Sequence, residues 1–281
     1  MEHLTILQFT GVVFAGSVLA GLLGALTGLG GGIVVIPMLT LLFGVDLRYA
    51  AGAALISVIA TSSGAASSYV KEGYSNLRVG MFLETATTTG AVIGAIVTAL
   101  MPKSAIAVIF GVVLLISAAL SFRRHIEPDP HEPSDPLATR LRLDSDYPTP
   151  HGRTPYHVHG VPPAFAMMFI AGTLSGLLGI GSGAVKVLAL DWAMRLPFKV
   201  STTTSNFMIG VTAAASAGVY LNRGYIDPGL AMPVMLGVLV GALLGARLLV
   251  RAQSQALRMV FAAAIGALGV QMIYSGLRGM P

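Results

Sequence analysis

Two glycine clusters cut apolar sequence that is otherwise continuous, Gly28-Leu29-Gly30-Gly31-Gly32 and Gly179-Ile180-Gly181-Ser182-Gly183. A break of this kind leaves backbone N–H and C=O groups without helical partners, and lipid cannot satisfy them, so it must face protein or a water-filled cavity. The helix restarting at Ile33 or Ala184 would present free N–H groups and the positive end of its dipole, and glycine lets a ligand approach the backbone. Gly28, Gly30, Gly31, Gly32, Gly179, Gly181, Ser182 and Gly183 are therefore the candidate contacts of an anion. Lys186, three positions after Gly183, is the one basic residue that no loop accounts for. A buried ammonium needs a partner. Glu84 and Asp191, the only acids within apolar runs, could supply it, as could a bound anion, unless the side chain snorkels to an interface. Thr202, Thr203, Thr204, Ser205 and Asn206 add a run of hydroxyls and an amide that can bond an oxyanion, a neighbouring helix or their own carbonyls.

Other chemistries fit less well. Glu84 and Asp191 are the candidates for a coupling role, but Glu84 comes early in its helix and Asp191 stands beside Trp192, which predicts interfacial positions for both. Ser182 with Lys186 as its base would be an intramembrane enzyme, yet every histidine lies outside the apolar runs and no HExxH or GxSxG occurs. The zero cysteine count excludes thiol catalysis and Cys-ligated metal, and His151, His157 and His159 have no acids at recognisable metal-ligand spacing, so no metal site is predicted.

The elements that must hold these residues are hydrophobic helices. Of 281 residues only 29 are Asp, Glu, Lys or Arg, and 54% are hydrophobic, more apolar side chain than one soluble core can hide. The chain reads as an all-α polytopic membrane protein. No basic stretch precedes the apolar run from Leu4, so the first helix is expected to stay rather than be cleaved. Residues 123–160 hold 11 of the 29 charges, five of the six histidines and seven prolines, and form an aqueous linker between a first transmembrane repeat, 1–122, and a second, 161–281. Within the linker, Thr139 to Asp144 and Tyr156 to His159 alternate polar with apolar around a Pro/Gly turn, which predicts a small β-hairpin.

A shift of 151 residues aligns 21–95 with 172–246 without a gap and matches 18 of 75 positions, including both glycine cuts, Tyr69/Tyr220, Gly73/Gly224 and Tyr74/Tyr225. This predicts an internal duplication. If each cut run crosses the membrane twice, Lys71, Arg78, Arg123, Arg124, Arg140, Arg142, Arg153, Arg195, Lys199, Arg247, Arg251 and Arg258 fall on one face, with only Arg48, Lys103, Arg223 and Arg278 on the other. That split follows the positive-inside rule. It predicts inverted repeats, each opening with a glycine-broken hairpin, with the linker cytoplasmic and both termini outside. The rival is eight spans with two re-entrant turns, because about a dozen apolar residues after the first cut reach only about 18 Å of helix. Small-residue pairs such as Gly90/Gly94 and Gly241/Gly245 are read as helix packing.

The motifs Gly-Leu-Gly-Gly-Gly-Ile-Val-Val-Ile-Pro at 28–37, Gly-Ile-Gly-Ser-Gly-Ala-Val-Lys-Val at 179–187 and Thr-Thr-Thr-Ser-Asn-Phe-Met-Ile-Gly-Val-Thr-Ala-Ala at 202–214 resemble those of the TauE/SafE sulfite-exporter family over nearly the whole chain. Ser182 and Leu188 depart from it, standing where the family often has glycine and proline. The resemblance implies a permease of the cytoplasmic (inner) membrane for sulfite, sulfonates or related small anions, with the glycine motifs and the region from Lys186 to Asn206 along the pathway. The alternatives are a channel-like uniporter and a carrier for carboxylates or other small anions, with an intramembrane enzyme more distant. The expected partners are a small anionic substrate and the lipid bilayer, with no nucleic acid and no cofactor; assembly with further copies of the chain is compatible with the pattern.

Overall fold

A computed structural model describes residues 6–27, 31–120, 133–149, 152–249 and 255–279. The order is α1 (Ile6–Thr27), α2 (Gly32–Pro37), a π-helical turn (Met38–Leu42), α3 (Leu47–Glu72), α4 (Leu77–Thr98) and α5 (Lys103–Leu120). The linker follows as α6 (Pro136–Arg140), β1 (Ser145–Thr149) and β2 (Gly152–Tyr156). Then come α7 (Val161–Leu178), α8 (Gly183–Leu188), a second π-helical turn (Ala189–Ala193), α9 (Phe198–Asn222), α10 (Pro228–Leu249) and α11 (Gln255–Leu277). Helices α4 and α7 are each long and apolar enough to cross a bilayer. Outward-facing Met81, Ile93, Phe165, Phe169 and Ile170 on these two helices are large and apolar, as a lipid-facing surface requires.

Adding 151 to the bounds of α2, the first π turn and α4 gives the bounds of α8, the second π turn and α10. Left-handed backbone repeats at the same interval, at Gly44 and Arg195 (φ 65° and 53°) and at Gly73 and Gly224 (75° and 72°). The wide π turn follows Pro37 in one half and Leu188 in the other. The missing proline N–H is therefore not what causes it.

The halves interlock. Helix α1 packs on α10, α7 on α4, α3 on α9 and α5 on α11. Glycines set the closest approaches and reveal direction. Along α7, Gly172 meets the Thr87 carbonyl and Gly176 the Ala91 carbonyl, so α4 and α7 run parallel. Likewise Gly237 faces the Phe14 carbonyl and Gly241 that of Val18, making α1 and α10 parallel. In contrast, Gly111 faces Gly269 while Gly276 faces Ser104, and Gly210 faces Ser62 while Gly52 faces Tyr225 just beyond α9. The α5/α11 and α3/α9 pairs are thus antiparallel. Gly90, Gly94 and Gly241 act in helix packing, as read from their spacing, because each lies against a backbone carbonyl of the facing helix. Arg48 lies over the Tyr225 ring and Lys199 over Tyr74, both at 5.7 Å, two cation–π contacts in which the cations, and likewise the rings, stand 151 residues apart in sequence.

The linker does hold a hairpin, but elsewhere than its alternating segments suggested. The strands are 145–149 and 152–156, paired antiparallel from Ser145↔Tyr156 to Thr149↔Gly152. Residues 139–140 instead end α6, and 141–144 form the turn that follows it. Asp135 caps α6 by accepting from Leu137 N at 2.9 Å, and Pro136 supplies the φ a first helical turn needs. Pro148 and Pro155 are tolerated in the strands because a two-stranded ribbon is all edge.

This small unit is docked on the helix ends. Leu143, Tyr156 and Val158 join Val79 and Leu83 of α4, Ala164 and Met168 of α7, and Leu190, Met194 and Val200 in one buried cluster. Asn76 ties the seam: its Oδ1 caps α4 at Val79 N, and its Nδ2 donates to the Leu143 carbonyl at 2.8 Å and to Tyr156 Oη at 2.9 Å. Burial pushes the Tyr156 phenol up to about 12 against the opposing effect of the Asn76 bond, so it remains a neutral partner at physiological pH.

Candidate functional site

The described end of the first glycine break, at Gly32, lies against the second. Gly28 and Gly30 lie outside the described residues. A Cβ on Gly32 would stand 3.0 Å from Val58 Cγ2 and 3.7 Å from the Gly179 carbonyl oxygen. On the other side, Gly181 sits against Val58 and Ile209, so Val58 of α3 touches both breaks. The second break is tightly coiled: Gly179, Gly181 and Ser182 have φ of 74°, 71° and 45°. Glycine is required at 179, where a Cβ would meet Ala51 at 2.7 Å in a left-handed backbone. Ser182 bears the left-handed cost of about 1–2 kcal/mol that a side chain incurs, and its hydroxyl is held by donation to the Ala171 carbonyl at 2.5 Å.

The ammonium of Lys186, one turn into α8, is 0% exposed. Its Nζ donates to Thr212 Oγ1 at 2.5 Å, and Thr212 Oγ1 donates to Glu84 Oε1 at 2.6 Å. Cation and carboxylate are therefore bridged by one hydroxyl. Thr88 Oγ1 adds a second bond to the same Glu84 oxygen at 3.1 Å. Glu84 is 7% exposed, and its Oε2 is buried without a hydrogen-bond partner. Glu84 is buried in protein rather than solvent-facing. The docked linker covers the start of α4, so a residue early in that helix lies deep in protein. Asp191 is half-buried in its π turn, next to a Trp192 that is 59% exposed.

The hydroxyl run divides its tasks. Thr202 donates to the Phe198 and Lys199 carbonyls, and Thr203 to Tyr74, Lys199 and Val200 carbonyls. Thr204 Oγ1 accepts from Asn76 N at 3.0 Å. Ser205 reaches the break, at 3.4 Å from the Gly183 carbonyl, and Asn206 is half-buried. Thr212 was not singled out by sequence reasoning. It lies seven residues after Ser205, two turns along the same face, and that periodicity is the signal that could have found it. Tyr220, eight residues further on that helix, donates to the Gly176 carbonyl at 3.1 Å and anchors the turn leading into the second break. Ser182 and Lys186 do not form a nucleophile–base pair, since each is bonded elsewhere. Among the described residues, no three His, Asp or Glu side chains cluster as a metal site.

A family model described as Sulfite exporter TauE/SafE matches residues 13–272. The probable membrane transporter protein YunE of Bacillus subtilis (strain 168) is 27% identical over 267 residues, covering 92% of this chain and 95% of that protein. YdhB of the same organism, also a probable membrane transporter protein, is 27% identical over 84% of this chain and 87% of its own. A probable membrane transporter protein of Xylella fastidiosa (strain 9a5c) is 23% identical over 96% and 97%. No solved structure gives a significant match.

Proposed function

Because the chain belongs to the TauE/SafE sulfite exporter family, we propose that this membrane transporter carries a small sulfur-containing anion, such as sulfite or a sulfonate, outward across the cytoplasmic membrane. The observation that carries the reading is Lys186, a fully buried cation one turn beyond a glycine break, linked through Thr212 of α9 to Glu84 of the first half. A buried ammonium at a paired helix break is the arrangement with which a transporter compensates an anionic substrate. Gly32, Gly179, Gly181, Ser182, Gly183 and Ser205 lie at or beside the second break, whereas Gly31 packs on Val238 of α10 and Gly21 of α1; with Gly28, Gly30, Gly31 and Thr202 to Asn206 they make up the proposed binding region. The family's name directs the substrate toward sulfur oxyanions. The thermal stability of detergent-purified protein checks it: sulfite or a sulfonate raises the melting temperature by mass action, and acetate and chloride do not. Equal or absent shifts across that panel would remove the sulfur-anion assignment.

We further propose that residues 1–122 and 161–281 are inverted repeats that alternate access by rocking against each other, with the linker cytoplasmic and both termini outside. Helix directions support this. An odd number of crossings per half makes the corresponding pairs α3/α9 and α5/α11 antiparallel while α1/α10 and α4/α7 run parallel, whereas an even number makes all four pairs parallel. Single cysteines at Arg140 and Arg223 test it directly in a chain with no native cysteine. Labelling from opposite sides is expected. Labelling of both from the cytoplasm would favour the eight-span arrangement.

A further inference from the structure

We propose that Glu84 is a second anion-binding residue: protonated on Oε2, it donates a hydrogen bond to the same oxyanion that Lys186 holds, so each bound anion brings one proton into the site. This rests on the reading of Lys186 as the anion's counter-charge.

The geometry of the carboxyl group is the starting point. Both hydroxyl donors, Thr212 at 2.6 Å and Thr88 at 3.1 Å, converge on Oε1, and Oε2 is buried with no partner. A buried carboxylate oxygen left unsatisfied is costly. In a neutral carboxylic acid the carbonyl oxygen accepts and the other oxygen carries the proton. Oε1 already has the surroundings of that carbonyl, and Oε2 is the oxygen with a free direction. An oxyanion beside Lys186 supplies the acceptor that the Oε2 proton requires. No covalent bond forms to the anion; the carboxylate gains one proton from solvent on binding and returns it on release.

Charge balance points the same way. Without substrate, ammonium and carboxylate cancel across Thr212. A monoanion added to that pair leaves one uncompensated negative charge in a site where Lys186 is 0% exposed, and burying such a charge is prohibitive. Protonating Glu84 restores neutrality. The empty site and the loaded site are then both neutral, and both can reorient within the membrane. A dianion would leave one negative charge even with Glu84 protonated, so the site favours monoanions such as sulfonates or hydrogen sulfite over sulfate. Net movement follows the sum of the anion and proton gradients, so an accumulated anion leaves when its outward gradient exceeds any opposing inward proton gradient.

Among the described residues, other charges do not take over this role. Helix α7, packed on α4, has no ionisable side chain. On α9, Lys199 lies over the Tyr74 ring and Tyr220 Oη bonds the Gly176 and Leu177 carbonyls. On α4 itself, Arg78 donates to the Arg142 carbonyl in the linker. In the second π turn Asp191 is only half-buried, and Lys103 of α5 pairs with Asp46 at 2.6 Å. Among the described residues, Lys186 is the cation that reaches Glu84, through Thr212.

Calorimetric titration of the full-length protein with methanesulfonate, the anion of a strong acid, tests the proposal. Tris and imidazole, two cationic buffers with different heats of ionisation, count the protons taken up. The wild-type protein is expected to take up about one proton per anion, with affinity falling roughly tenfold per pH unit above the titration of Glu84. Glu84→Gln is expected to bind with no proton uptake and no such pH slope, and sulfate to bind wild type at least about tenfold more weakly than methanesulfonate, the discrimination expected from about 1.4 kcal/mol. Binding of methanesulfonate without proton uptake would overturn the role of Glu84 and leave the anion site standing. Absence of methanesulfonate binding would overturn both. Sulfate binding as tight as methanesulfonate would also overturn it. The wild-type proton count decides the question even if the variant fails to fold.

Discussion

Replacing Lys186 with methionine is expected to weaken anion binding by about 10- to 100-fold or more and, by itself, to destabilise the protein. Lys186 and Glu84 are joined through Thr212 in a buried setting. Removing one member of such a pair leaves the other uncompensated, at a cost of about 3–5 kcal/mol. The second substitution separates folding from function. In Lys186→Met with Glu84→Gln both charges are gone, and stability should return to within about 1–2 kcal/mol of wild type because similarly shaped uncharged groups often replace a buried pair without loss. Affinity should not recover. A lost charge-assisted bond is worth about 1.5–3 kcal/mol, so affinity should fall by about 10- to 100-fold or more. Melting temperature and calorimetric affinity of the two variants measure the two effects. Undiminished anion binding in the double variant would remove Lys186 from the site.

The second large effect concerns packing. Gly176 on α7 lies so close to α4 that a Cβ there would overlap the Ala91 carbonyl oxygen and stand 2.8 Å from Ala95 N. Backbone cannot yield as a flexible side chain does. Gly176→Ala is therefore expected to force α4 and α7 apart and to destabilise by about 1–3 kcal/mol, the usual cost of overpacking. It would also shift the Gly176 carbonyl that accepts from Tyr220. Gly218 on α9 is exposed and has nothing within 4 Å of its Cβ position. The same substitution there should be neutral or stabilise by up to about 1 kcal/mol, because alanine is the better helix former. Opposite signs from one chemical change, read as melting temperatures, would isolate the contact. Equal effects would mean that the α4/α7 contact is not tight.

Much of this protein was legible in one dimension. Composition and the length of the apolar runs implied membrane helices, since a backbone in lipid must bond within itself. The glycine clusters located the breaks, because interrupted helical bonding has a local cause, and the described part of each break stands where it was read. The 151-residue shift anticipated bounds such as Gly32–Pro37 and Gly183–Leu188. Where purely local patterns competed, reading was weaker. Thr139 to Asp144 alternates as a strand does, yet the Asp135 cap and Pro136 start a helix that ends at Arg140.

What tertiary structure alone decided is which groups meet. Glu84, Lys186 and Thr212 come from three helices, with 128 residues separating Glu84 from Thr212, and no local periodicity encodes that encounter. It arises because close glycine contacts bring α7 onto α4 and because α9 presents Ser205, Thr212 and Tyr220 along one face. Position along a helix can be read from its end, whereas burial depends on what covers that end. Here the linker covers it, through Asn76, Leu143 and Tyr156. Local sequence determined where the chain can break and which residue types stand near the breaks. Partnership and burial were settled only by the packing of distant segments, because the electrostatic cost of a buried charge depends on everything around it.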